Sequence, residues 1–171
     1  MGYIVSRPIY ETKKDRKRQQ IIADYIMTHI NGCVMINQPK LSPNDYVVYN
    51  IKSIEEIDTA DPVAYVEIKT RFESYPSLLF SQRKWNTNLK IAESLNVPAY
   101  LIVAWPVKTE WEILITRIVP LNEVIYPIGT GGRTDRNDPH DIESCVYIPR
   151  SVFSLMGTLS PTEAKNLVTL K

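Results

Sequence analysis

Ile22, Ile26 and Ile30 recur at four-residue spacing, with Ala23, Tyr25 and Met27 beside them. That period places them on one face of a helix from about Thr12 to Ile30, which Asn31-Gly32 ends. Extended backwards, the face takes in Gln19, Asp15 and Glu11, while Lys13, Arg16, Lys17 and Gln20 fall mostly outside it. The buried stripe of this first helix therefore turns polar at one end. Either it runs past the edge of the core there, or it abuts a polar site. The pattern then shortens. Residues 33–37, 45–51 and 64–70 read as strands, joined by a Pro/Ser/Asn turn at 39–44 and a polar loop at 52–62. Short links between neighbours fit a meander. A second helix is predicted from about Ser77 to Leu95, stopped by Asn96-Val97-Pro98.

Residues 99–105 are apolar throughout and suit a central strand covered on both faces. Residues 111–119 give another strand, so strand, helix and strand form a crossover of parallel type. Residues 129–144, rich in Gly and charge, read as a mobile loop without a phosphate-binding motif. Cys145 to Ile148 reads as a last short strand, at an edge because Pro149 follows. The tail, 157–171, carries little pattern. The whole, 1–171, reads as one domain with its core at about 12–149.

Composition narrows the partners only slightly. The chain has 171 residues, 44% hydrophobic and 23% charged, with net charge +1. That suits a single globular domain and gives no overall field to draw in nucleic acid, although local basic patches are compatible with it. Cys33 and Cys145 sit in apolar surroundings and read as buried free thiols, not as a disulfide or metal site. The N-terminus lacks a signal peptide's apolar core and no run reaches transmembrane length, which predicts a cytoplasmic protein without a membrane partner.

The candidate chemistry lies in the third strand. Tyr65, Glu67 and Lys69 alternate to one face and Val66 and Ile68 to the other. A carboxylate and an ammonium thus share a face within an apolar segment, where burial is costly unless something uses them. In a meander, Asp45 at the start of one strand would lie beside Glu67 near the end of the next. Two carboxylates and the Ile68 carbonyl would make an oxygen-only site suited to Mg²⁺ or Mn²⁺. Lys69 would stand beside the attacking water and the phosphoryl oxygens. On the second helix, Trp85, Leu89, Ile91, Ala92 and Leu95 form the apolar arc, and Lys84 and Asn88 fall inside it. Lys84 would then point inward. Taken singly, Glu67 and Lys69 read as a half-exposed strand edge, Asp45 as a turn residue, and Lys84 as a lysine snorkelling to solvent.

The order of these parts resembles the PD-(D/E)xK nuclease superfamily. The matching residues are Pro43-Asn44-Asp45, Glu67-Ile68-Lys69 and Lys84 in the following helix, within about residues 12–119. The chain looks most like the small stand-alone members, such as resolvase-like and phage or repair nucleases. The resemblance implies an α/β fold, a central mixed β-sheet flanked by helices, restriction-endonuclease-like. It implies Mg²⁺- or Mn²⁺-dependent cleavage of phosphodiester bonds, with DNA as partner. Asp45 and Glu67 would bind the metal with the Ile68 carbonyl, Lys69 would be the catalytic lysine, and Lys84 would contact the scissile phosphate or steady the site. Many members add a Glu from the inner face of the first helix. Here Gln19 lies best in register but is neutral, and Asp15 and Glu11 are the acidic alternatives. Lys13 and Lys17, in the basic run 13–18, read either as backbone-phosphate contacts or as a solvated helix face, and Arg133 and Arg136 in the late loop are candidates for closing over nucleic acid. A chain this small has little room for a recognition domain, so sequence specificity would need a homodimer or a partner. The alternative reading is a catalytically inactive nucleic-acid-binding or protein-interaction module on the same fold.

Overall fold

The structure, a computed structural model, describes residues 12–39, 42, 44–132, 139 and 142–170. Glu11, Pro43, Arg133 and Arg136 lie outside the described residues. Helix α1 spans Lys13–His29 and begins with a capping box between Thr12 and Asp15. Strands β1 (Cys33–Asn37), β2 (Tyr46–Asn50) and β3 (Pro62–Thr70) follow as an antiparallel meander. Strand β4 (Ser77–Ser81) leads directly into helix α2 (Gln82–Ser94). Strand β5 (Ala99–Val107) returns parallel to β3, and β6 (Glu110–Ile118) turns back antiparallel to it. Then come β7 (Ile128–Gly131), β8 (Glu143–Pro149), β9 (Ser154–Thr158) and helix α3 (Pro161–Thr169).

The central sheet is six-stranded and mixed, in the order β1-β2-β3-β5-β6-β9. The meander and the parallel crossover expected from the sequence are both present. Helix α1 covers one face, where Ile22 and Ile26 meet Val66, Ile68, Ile102 and Ala104. Helix α2 covers the other, where Trp85 and Ala92 meet Leu101, Val103 and Trp105. Because side chains alternate, β3 gives Val66 and Ile68 to the first face and Glu67 and Lys69 to the second. The strand carrying the candidate chemistry is therefore central and covered on both sides.

Four expectations need correction. The second helix starts at Gln82, not Ser77. Leu78 and Phe80 alternate into the core at 1% and 3% exposure as part of β4, and Ser81 caps the helix by accepting from the Lys84 N–H. Strand β8 is not at an edge: it is the middle strand of a second sheet ordered β4-β8-β7, and Pro149 sits at its last position, where a missing N–H breaks little. The supposed loop at 129–144 is paired at both ends, Gly129 with Cys145 and Gly131 with Glu143. The C-terminal tail is structured. Ser160-Pro161-Thr162-Glu163 forms a capping box with proline in the first turn of α3, and Leu167 is fully buried against α1. Strand β9 closes the sheet under α1: a Cβ at Gly157 would lie 1.8 Å from the Tyr25 hydroxyl, so any larger residue there would have to displace the Tyr25 ring.

This makes the tail part of the core. Leu167→Ala is expected to cost about 2–5 kcal/mol, the usual range for emptying a fully buried leucine site. Denaturant unfolding followed by circular dichroism checks it; a cost under about 0.5 kcal/mol would show a tail that merely rests on the surface.

Candidate active site

The site begins with strand register. Tyr46 of β2 faces Val66 of β3, which sets Asp45 beside the Val66–Glu67–Ile68 backbone. The Asp45 N–H donates to the Val66 carbonyl at 3.1 Å. In return, the Ile68 N–H donates to Asp45 Oδ2 at 2.7 Å. Asp45 is thus clamped against β3 at both backbone and side chain. Glu67 lies between Asp45 and β5, paired with Leu101, under α2, and is 0% exposed.

An isolated carboxylate buried to that extent would cost many kcal/mol. Two ammonium groups offset the cost. Lys69 Nζ lies 2.6 Å and Lys84 Nζ 2.5 Å from the same oxygen, Glu67 Oε1. Lys84 reaches it from the first turn of α2, one residue before fully buried Trp85. The two lysine side chains keep 35% and 40% exposure, so their heads bridge the core and solvent. Lys69 also lies 5.9 Å from the Phe80 ring centroid, a cation–π contact. The structure therefore brings Asp45, Glu67, Lys69 and Lys84 together.

The electrostatics follow from that geometry. Burial works to raise the Glu67 carboxyl, but the Lys69 and Lys84 charges and hydrogen bonds outweigh it and hold Glu67 below its ordinary value. Burial works to lower the Lys69 ammonium, and the Glu67 and Asp45 carboxylates reverse that, holding it above the ordinary lysine value. Lys69 is therefore a charged donor in this state. Asp45 goes the other way. Burial, then repulsion from Glu67, push it up to about 6, against opposing effects of both lysines and the Ile68 N–H.

One atom of the cluster is left over. Glu67 Oε2 is buried and has no hydrogen-bond partner among the described residues. A buried carboxylate oxygen without a donor is costly, on the order of 1–3 kcal/mol or more for a charged group. A hard cation would satisfy it, and Asp45 beside it supplies a second hard oxygen donor. The residues present thus fit a divalent cation held by few protein ligands. No cluster of three His, Cys, Asp or Glu side chains occurs among the described residues, so further ligands would be main-chain oxygen or water.

The helix-one candidates separate. Gln19 is 7% exposed and borders two small cavities, one shared with Asp45 and Asn44, the other with Ile68 and Lys69. Asp15 borders the second cavity but is committed to the helix cap, accepting from Thr12 Oγ1 at 2.7 Å, and to Arg18 at 3.1 Å. Lys13 and Lys17 are exposed on α1. Sequence reasoning missed two features. Ser81 ties the start of α2 to β8 by donating to Glu143 Oε2 at 2.9 Å. Arg18 is buried and lies 4.8 Å from the Phe72 ring centroid. The aromatic residues just after Lys69, in Phe-Glu-Ser-Tyr-Pro, were the available signal for the second.

This is the architecture of a nuclease of the PD-(D/E)xK type: Asp45 at the head of one strand, Glu67 and Lys69 on the next, and a mixed sheet between helices. The chain belongs to the family described as "Phage putative PDDEXK endonuclease", whose profile matches residues 5–156. Its fold is similar to the 1.6 Å resolution structure of Archaeoglobus fulgidus Hjc, a Holliday junction resolvase from an archaeal hyperthermophile. That likeness has 20% identity, a TM-score of 0.43, and covers 75% of this chain and 88% of that one. No curated protein matches the chain.

A raised Asp45 implies a stability cost. Its folded value of about 6 lies above the ordinary 3.8, so the folded state holds its proton more tightly than the unfolded chain does. The cost is present above about pH 6 and disappears as pH falls toward about 4. Asp45→Asn keeps the acceptor for Ile68 and removes the charge. It is expected to stabilise the metal-free fold by about 1–3 kcal/mol at about pH 7.5, with the gain vanishing near pH 4. Thermal unfolding of both proteins across that range checks this. A variant less stable than wild type at pH 7.5 would contradict it.

Proposed function

We propose that this protein is a metal-dependent nuclease hydrolysing phosphodiester bonds in DNA. Asp45 and Glu67 hold Mg²⁺ or Mn²⁺ with the Ile68 carbonyl, Lys69 is the catalytic lysine, and Lys84 contacts the scissile phosphate. Membership of the PDDEXK endonuclease family supports the nuclease class. The observation that carries the metal site is Glu67 Oε2, buried beside Asp45 with no donor among the described residues.

When bound there, a divalent cation supplies Lewis acidity, favouring deprotonation of an attacking water and neutralising phosphate charge. The chain's own residues do the rest. Glu67 orients both lysines by gathering their ammonium groups on one oxygen. Without the cation, two carboxylates and two ammonium groups cancel. With it, the cluster carries a net positive charge facing solvent, matched to an incoming phosphodiester. Lys69, kept protonated by its carboxylate neighbours, serves as a hydrogen-bond donor and charge stabiliser for the transferred group. Its half-exposed head can reach the substrate without leaving the cluster.

A second reading, binding without cleavage, is favoured by one observation: the helix-one residue that borders both cavities at the site is neutral Gln19. Metal-dependent cleavage of single-stranded, duplex and branched DNA separates the two, with Lys69→Ala as the inactive control.

Lys84 gives the sharper test. Lys84→Met keeps the packing stem and leaves Glu67 paired with Lys69, so the fold should persist. Loss of a cation facing the reacting phosphate costs roughly 2–4 kcal/mol, or tens- to several hundred-fold in rate. Arg83→Met, one residue away on the exposed side, should change little. Single-turnover cleavage and thermal unfolding of both variants check this. Equal cleavage by the two would remove Lys84 from the site.

Cation binding has its own readout. Mg²⁺ or Mn²⁺ at a hundredfold excess over its dissociation constant should stabilise the wild type by about 2.7 kcal/mol. Glu67→Gln should abolish that stabilisation. A variant that still gains it would place the cation elsewhere.

A further inference from the structure

Past Lys69 the chain does something a cation site does not require. A cavity of about 130 Å³ opens between β3 and α1. Ile68, Lys69 and Thr70 form one wall, Asp15, Arg18 and Gln19 the other, and Phe72 borders both. The Arg18 guanidinium is fixed there. It donates to Asp15 Oδ1 at 3.1 Å and to the Leu170 carbonyl at 2.7 Å, and lies 4.8 Å from the Phe72 ring centroid. Trp111 holds the Phe72 ring edge-on at 5.9 Å. Phe72 nevertheless stays 38% exposed. Tyr75, next along, is 50% exposed, with the Arg71 guanidinium 5.3 Å from its ring centroid. The segment leaving the candidate catalytic strand therefore presents aromatic rings braced by arginines, next to a cavity lined by carboxylate, amide, hydroxyl and cationic groups.

That combination selects among ligands. The Arg18 guanidinium is already committed to Asp15 and the Leu170 carbonyl, so it offers little to a phosphate in the cavity. Rigid flat faces favour a planar ring, and the polar wall offers both donors and acceptors to its edge. The size suits one aromatic heterocycle. A base inside a duplex is stacked above and below and cannot enter, whereas an unpaired one can.

We propose that this cavity receives an unpaired nucleobase from a nucleotide flanking the cleaved bond, so that the enzyme selects DNA with an unpaired nucleotide at the cut, such as a flap or frayed branch. Phe72, backed on one face of its ring by Arg18, supplies the stacking surface and Thr70 a hydrogen bond to the base edge. This rests on the nuclease reading above, because that reading puts the substrate at β3.

The test measures binding without metal, so it does not depend on cleavage. Duplexes carry an unpaired 2-aminopurine at a junction, or an abasic nucleotide at the same position, or are fully paired. Stacking of one base on an aromatic side chain is worth roughly tenfold or more in affinity. Wild type should bind the base-bearing junction about tenfold more tightly than the abasic one, with quenched 2-aminopurine fluorescence. Phe72→Ala should erase that preference and leave abasic binding unchanged. Thr70→Val, which keeps the side-chain shape, should reduce the preference severalfold. Equal affinity of wild type for base-bearing and abasic junctions would overturn the proposal. So would a Phe72→Ala loss that is the same on both, because a merely structural ring would act that way. Cleavage with Mg²⁺ is scored separately. A base preference without any cleavage keeps the cavity and rejects the nuclease reading; cleavage without a base preference does the reverse.

Discussion

The Glu67 carboxylate, wholly buried between β3, β5 and α2, is the constraint to which the rest of the site answers. A charge in that position is tolerable only with counter-charges fixed nearby. Lys69 comes from the same strand two residues on, and Lys84 from the first turn of the helix laid over it. Both bind one oxygen. This explains why α2 must begin where it does. Ser81 caps it by accepting from the Lys84 N–H, and β4 pairing with β8 fixes the approach of the segment. The second sheet therefore acts as a mount for the helix that carries Lys84.

Clustering the ammonium groups on Oε1 leaves Oε2 and the raised Asp45 as a locally unfavourable pair. Under the proposed function, stability is lower than it could be at the place where the cation would bind. On the opposite face α1 contributes Gln19 to the rim, with no uncommitted acid among the described residues. Asp15, the only described acidic candidate there, is spent on its own helix cap and on Arg18.

Much of this was legible in the sequence because it depends on local periodicity. The four-residue spacing of Ile22 and Ile26, the alternation of Glu67 and Lys69 with Val66 and Ile68, and the placing of Lys84 in an apolar arc each follow from geometry a single element carries. The meander and crossover then bring Asp45, Glu67 and Lys84 together. What was not legible depends on boundaries and distant partners. Leu78 and Phe80 alternate as a strand, yet no Gly or Pro separates them from the helix that follows. Pro149 suggested an edge, whereas its strand is flanked on both sides, because a proline at a strand's last position costs little pairing. The tail carried its own start signal at Ser160-Pro161, but the burial of Leu167 against α1 comes from a contact across almost the whole chain. Likewise, Arg18 looks like one of a basic run, and only tertiary structure turns it inward to hold the end of α3 and face Phe72.

The central claim is that Glu67 Oε2 and Asp45 share one divalent cation. Anomalous scattering from crystals grown with Mn²⁺ tests it most directly. One strong peak is expected between those two carboxylates, about 2.0–2.3 Å from Glu67 Oε2, absent in Glu67→Gln. A peak at Asp15 or elsewhere on the surface, or an unchanged Glu67 environment at saturating Mn²⁺, would contradict it.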